Sequence, residues 1–222
     1  MKRPQWWPRR SVSMTADAPL SAAGHGQAPI SPSMRAVSDR LTITSHLWNT
    51  LLGELQLRGG GKRESGAFLL SRREASDTAA PKNIVAIAYY DDLDAHCLTG
   101  GITMSGTAYD ALWTVCREQE LRVVADVHTH PSSWVLQSPV DRANPMMAHA
   151  GHLALIIGNY ASASPPVGMY RYLGEGQWQV LDRDTHLDLL PLPDQSTRRR
   201  GFWNWKPWWQ RLTISKGRLR DR

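Results

Sequence analysis

The sequence predicts an α/β domain over residues 41–190. Three observations carry this. Several apolar runs have strand length, two segments between them have helical period, and both ends of the chain lack either pattern. The 222 residues, 41% hydrophobic and 21% charged, suffice for one core of ordinary size with tails.

In order along the chain, "LTIT" (41–44) alternates and reads as a short strand. Ser45 then reads as a helix cap before "HLWNTLLGELQLR", where Leu47, Leu51, Leu52 and Leu55 recur at helical spacing. Gly59, Gly60 and Gly61 end that helix in a turn. "SGAFLLS" (65–71) and "NIVAIAYYDD" (83–92) read as strands. "SGTAYDALWTVCREQE" (105–120) reads as a helix with Tyr109, Leu112, Trp113 and Cys116 on one side. "LRVVADVHTH" (121–130) is a buried strand, followed by a loop, a short helix from Ser138 and the strand "HLALIIGNYA" (152–161). "VGMYRYLG" and "QWQVLDRD" form a hairpin around Gly174, Glu175 and Gly176. There is no internal repeat.

Residues 1–40, rich in Ser, Ala, Pro and Gly, are expected to be disordered. From Pro191 the chain turns Pro-rich and then Arg- and Trp-rich, so 191–222 reads as a basic tail. Residues 198–222 hold nine Lys/Arg against one Asp, and residues 1–40 hold six against two. The overall charge of +6 therefore sits on the ends, around an acidic body. Cys97 and Cys116 lack CxxC spacing, which excludes a cysteine zinc cluster and reads as two buried free thiols in a reducing compartment. No run approaches the roughly 20 apolar residues of a membrane span. No apolar stretch follows the charged start as a secretory signal requires. A cytoplasmic protein is expected.

The chemistry concentrates at His128-Thr129-His130-Pro131, followed after six residues by Ser138-Pro139-Val140-Asp141. Alternate strand residues share a face, so His128 and His130 can bring two imidazoles to one point. Asp141 can return a carboxylate. Two histidines, one carboxylate and an open position make the donor set of a catalytic zinc site. Glu64, just after the glycine turn, is the candidate base for a water acidified by the ion.

Taken singly, each element has a plainer reading. Two alternating histidines occur in ordinary strands. Ser138-Pro139-Val140-Asp141 is also a helix start, with Ser as N-cap, Pro at N1 and an acid at N3. A lone Glu64 is a solvated surface residue. The cap and the ligand readings are compatible, because the cap fixes the helix that aims Asp141 inward.

Together these residues resemble the JAMM (JAB/MPN) metalloprotease family: a Glu ahead of the apolar "GAFLL" strand, then His-x-His-Pro, six residues, and Ser-x-x-Asp. The resemblance covers roughly residues 41–185 and lies nearer the bacterial branch. It implies the JAB/MPN, cytidine-deaminase-like fold, a mixed sheet flanked by helices. It implies one zinc ion per chain on His128, His130 and Asp141. Glu64 then takes a proton from the attacking water and passes it to the leaving amine, and Ser138 donates to the oxyanion. The implied substrates are peptide or isopeptide bonds after the C-terminal glycine of a ubiquitin-like protein. The implied partners are that protein, its conjugates and the activating and conjugating enzymes of the same system, in anti-phage defence or sulfur-carrier processing. No small-molecule cofactor is expected. The alternatives are a non-catalytic MPN-type scaffold, whose members typically lose a ligand or the base, and a protein driven by its tail.

Asp126 shares the strand face of the two histidines and is a candidate partner to a zinc-bound imidazole, or else an ordinary strand-end residue. Trp134 either lines a substrate groove or packs its loop. His149 and His152 read as structural, and His25, His46, His96 and His186 lack a partner pattern. In the tail, Trp203, Trp205, Trp208 and Trp209 interleave with Lys and Arg. That pattern suits an anionic membrane surface, nucleic acid or a docking partner, and equally a solvated basic segment.

Overall fold

The computed structural model describes residues 38–73, 80–99 and 101–191. The N-terminal segment and the Trp-rich tail lie outside the described residues, apart from 38–40 and Pro191.

Strands β1 (Leu41–Thr44), β2 (Gly66–Arg72), β3 (Lys82–Tyr89), β4 (Leu121–Thr129), β5 (Leu153–Ile157), β6 (Val167–Gly174), β7 (Gln177–Leu181) and β8 (Leu187–Leu190) form one sheet in the order β7-β6-β5-β4-β2-β3-β1-β8. The sheet is mixed. β4 runs parallel to β5, β1 runs parallel to β3 and β8, and the remaining pairs are antiparallel.

Helices cover both faces, so successive residues of the central strands point into two different cores. Helix α1 (Ser45–Gly59) lays Trp48, Leu51 and Leu55 against Ala67, Leu69, Val127 and Leu155. On the opposite face, Leu112 and Cys116 of α3 (Gly106–Glu118) pack on Phe68, Leu70 and Ala88. The one-turn α2 (Tyr90–Leu93) inserts Tyr90 into this second core. With a cluster on each face, the central strands are apolar on both sides.

Several expectations change. Thr44, not Ser45, caps α1, its hydroxyl accepting from the Leu47 N–H at 3.2 Å. The strand expected over 83–92 ends at Tyr89, where α2 begins. The strand expected over 152–161 ends at Ile157, and Asn159–Ala161 make a tight turn with φ of 53°, 51° and 59°. Trp113 is 37% exposed, because the buried stripe of α3 runs through Ala108, Leu112 and Cys116. The second hairpin strand stops at Leu181. It is followed by the one-turn α5 (Arg183–His186) and by β8, which pairs with β1 through Leu41↔Leu187. Cys97 and Cys116 are buried and free. Among the described residues no helix is long and apolar enough to cross a membrane.

Candidate metal centre

Parallel strands β4 and β5 end side by side, and the chain leaves β4 at Thr129 into a loop over their carboxyl ends. Such ends are where α/β sheets commonly bind ligands. His128 points to the α3 face of the sheet, as does Ile156 beside it on β5. His130, one step past the strand, stays tied to β5 through its N–H and the Ile157 carbonyl at 2.8 Å. Its turn out of the strand brings the two side chains together, with Nε2 atoms 3.2 Å apart.

The carboxylate arrives on α4 (Pro139–Ala143), whose first turn is a capping box. The Asp141 N–H donates to Ser138 Oγ at 3.2 Å, and the Ser138 N–H donates to Asp141 Oδ2 at 2.7 Å. This reciprocal pair fixes the Asp141 rotamer. It leaves Oδ1 3.6 Å from His128 Nε2 and Oδ2 3.4 Å from His130 Nε2. One ligand atom from each of the three residues lies within 4.8 Å of the others.

The donor set fits zinc. Around a tetrahedral ion with bonds of about 2.1 Å, neighbouring ligand atoms sit roughly 3.4 Å apart, close to the observed separations. His130 Nδ1 lies 3.0 Å from the Trp134 carbonyl, a bond that requires the proton on Nδ1 and leaves the Nε2 lone pair free. Contact with Asp141 is the largest influence on His130 and raises its pKa against the opposing effect of burial. The Trp134 carbonyl and the charge of Glu64 act in the same direction. Burial alone would push the Asp141 carboxyl up, but the His128 and His130 imidazoles and the Ser138 side chain hold it well below the usual carboxylate range.

Glu64 is half-buried and lies two residues before the start of β2. Gly66 pairs with His128 and Ser65 bonds to Thr129; the residues that follow on the two chains are Glu64 and His130, and the Glu64 charge acts on His130. Ser138 Oγ accepts from the Asp141 N–H in the cap.

Asp126 does not reach a metal-site imidazole. Its Oδ1 is 2.6 Å from His152 Nε2, and both side chains are buried. The expected partner on its own strand gives way to one delivered by the chain leading into β5. The Trp134 side chain is 65% exposed, and its contribution to the cluster is its carbonyl.

Sequence reasoning missed the residues that pin the loop. Tyr160 N–H donates to the His130 carbonyl and Asn159 N–H to the Ser132 carbonyl, each at 2.8 Å. Tyr170 Oη donates to the Val135 carbonyl at 2.7 Å. A Cβ at Gly168 would stand 2.5 Å from that same carbonyl, so only glycine lets the loop lie on β6. Gly158 and Gly168, bracketing the β5–β6 connection, were the one available sequence signal.

No family model matches the sequence. The chain is similar in structure to protein DSY2949 from Desulfitobacterium hafniense, with a TM-score of 0.51, 14% identity, and coverage of 72% of this chain and 99% of that one. A protein from Salinibacter ruber aligns at a TM-score of 0.45 with 17% identity, covering 69% and 94%. A JAB1/MPN domain protein, AF2198 from Archaeoglobus fulgidus, aligns at 0.40 with 13% identity, covering 69% and 98%. At such identities the likeness to the first of these is one of fold.

Proposed function

We propose that this chain is a zinc-dependent peptidase or isopeptidase of the JAMM (JAB/MPN) type that cleaves after the C-terminal glycine of a ubiquitin-like protein. The observation that carries this reading is the convergence of His128 Nε2, His130 Nε2 and the Asp141 carboxylate, with the charge of Glu64 acting on His130. A non-catalytic relative would have no use for both a complete ligand set and a base.

Zinc held by these three residues would supply a Lewis acid that acidifies water and polarises the scissile carbonyl. Glu64 then accepts the proton of the attacking water and delivers it to the departing amine. The Ser138 hydroxyl, oriented by its cap bond, donates to the oxyanion that develops on the carbonyl. Trp134, Leu136 and Val140 flank the ligands in sequence and are 65%, 49% and 68% exposed. Large apolar side chains left in water beside a metal centre suit an extended macromolecular tail better than a small polar substrate.

The test uses the purified full chain. Zinc content is measured on wild type and on His130→Ala, and hydrolysis is measured on a fusion carrying a ubiquitin-like C-terminus ending in glycine. The expected result is one zinc per wild-type chain, its loss in His130→Ala, and cleavage after the glycine. Glu64→Gln should keep its zinc and lose roughly 10²- to 10⁴-fold in rate. A wild-type chain that binds no zinc, or a Glu64→Gln variant at full rate, defeats the proposal.

A further inference from the structure

The ladder between β2 and β4 changes character at its last rung. Ala67↔Val127 and Gly66↔His128 pair in register. One residue on, the Thr129 N–H donates to the Ser65 carbonyl at 2.9 Å, as a ladder requires. The Ser65 N–H, however, donates to the Thr129 side-chain hydroxyl at 2.9 Å, where a ladder would offer a main-chain carbonyl. Ser65 Oγ then donates to the Leu55 carbonyl near the end of α1 at 2.7 Å. Both residues are completely buried.

The main-chain pairing of β2 with β4 ends here, the His130 N–H turning to the Ile157 carbonyl of β5, and the first residues past it are Glu64 and His130. A strand pair that diverges inside a core leaves main-chain N–H groups without partners, and an unpaired buried N–H costs about 1–3 kcal/mol. The Thr129 hydroxyl removes that cost at the fork. Thr129 sits between the two histidines in sequence, yet alternation sends its side chain to the α1 face, away from the metal cluster. It therefore touches neither the ligand atoms nor any substrate lying over them.

We infer that Thr129 is a positioning residue whose hydroxyl ties the fork between β2 and β4 and fixes Glu64 relative to the imidazole pair. This rests on the proposed hydrolytic function. The tie runs from α1 through Leu55, Ser65 and Thr129, so the base and two of the metal ligands share one buried anchor.

Thr129→Val keeps the branched shape and removes the hydroxyl. The variant should retain one zinc per chain and a KM close to wild type, while kcat falls roughly 10- to 100-fold, the range seen when a supporting hydrogen bond behind a metal site is removed. Amide exchange at Ser65 should accelerate, and Thr129→Ser should restore both kcat and protection. Wild-type kcat in Thr129→Val overturns the inference. So does a loss of zinc matching the loss of rate, or a Thr129→Ser variant as slow as the valine. If the valine variant does not fold, Thr129→Ser against Thr129→Cys poses the same question, because only serine keeps a strong acceptor. Equal rates in those two overturn the inference. Absence of hydrolysis by the wild type defeats the proposed function instead. The Ser65 exchange rate still decides the fork in that case, and unchanged protection in Thr129→Val rejects it.

Discussion

Replacing Gly66 by alanine probes how tightly the strand that carries His128 is packed. A methyl group at this position would stand 2.3 Å from Tyr90 Cε2, 2.7 Å from Tyr90 Cδ2 and 2.7 Å from the Val127 carbonyl. Ordinary carbon contacts lie at about 3.5–4.0 Å, so the ring and the strand must separate by roughly 1 Å. Neither neighbour has room to move. Tyr90 is fully buried with its ring edge against Phe68, centroids 4.9 Å apart, and the carbonyl belongs to the backbone of β4. Overpacking in a core costs about 1–3 kcal/mol, and a backbone clash places this site near the upper end, at about 3 kcal/mol.

For a domain of this size each kcal/mol corresponds to about 2–4 °C, so Gly66→Ala should lower Tm by about 6–12 °C. Gly66 is paired with His128, so the same displacement should weaken zinc binding. Gly53→Ala is the internal control. Gly53 is exposed on α1 with nothing within 4 Å of an added Cβ. Helix propensity there favours alanine by about 1 kcal/mol, which raises Tm by a few degrees. Thermal unfolding followed by circular dichroism at fixed zinc compares the three proteins. A Gly66→Ala variant that melts with the wild type would refute the packing argument.

The other predictions concern the cluster itself. In chelator, the raised His130 contributes stability that is complete below the ordinary imidazole value of about 6.5 and is lost as pH rises through its raised value. The depressed Asp141 contributes stability that is complete above about 4 and is lost as pH falls through its lowered value, so the denaturation gap between wild type and Asp141→Asn should be largest near pH ~5 and narrow towards pH ~8; a gap that widens across that range contradicts the assignment. Ser138→Ala should lose about 1 kcal/mol with the helix cap and a further 10²- to 10³-fold in kcat with the oxyanion donor, read by unfolding and by single-turnover hydrolysis; full kcat at reduced stability would leave Ser138 only its cap.

Where the chain's pattern is local, the sequence could be read directly. The apolar runs of β2, β4 and β5 and the caps of α3 and α4 need only neighbouring residues for their explanation. The i, i+2 spacing of the histidines and the Ser-Pro-x-Asp start of α4 made the ligand set visible for the same reason. What stayed hidden depends on contacts distant in sequence. β8 is a four-residue strand recruited by β1 from the other end of the domain, and "LDLL" is too short a run to announce it. Thr44 and Ser45 are both good caps, and only the position of the first helical turn selects Thr44. Tyr89 and Tyr90 continue a strand pattern, yet Tyr90 is drawn into the second core by Phe68 and the bare backbone of Gly66. Asp126 was placed on the correct face with the wrong partner, because adjacent strands deliver side chains closer than two steps along one strand.

The hidden contacts also explain how the loop between His130 and Ser138 is held in place. Two imidazole nitrogens at 3.2 Å and a carboxylate beside them would relax apart if their loop were free. The loop is held instead by the Asn159 and Tyr160 amides, the Tyr170 hydroxyl, and the bond between His130 Nδ1 and the Trp134 carbonyl. Asn159, Tyr160 and Ala161 all adopt positive φ to present two of those bonds, a conformation that disfavours non-glycine residues by roughly 1–2 kcal/mol each. A fold accepts such strain where the rest of the structure over-determines it, and here it fixes the loop that links His130 to Ser138. The same bonds would spare a bound ion the cost of ordering this loop, unlike small domains that form only around their ion.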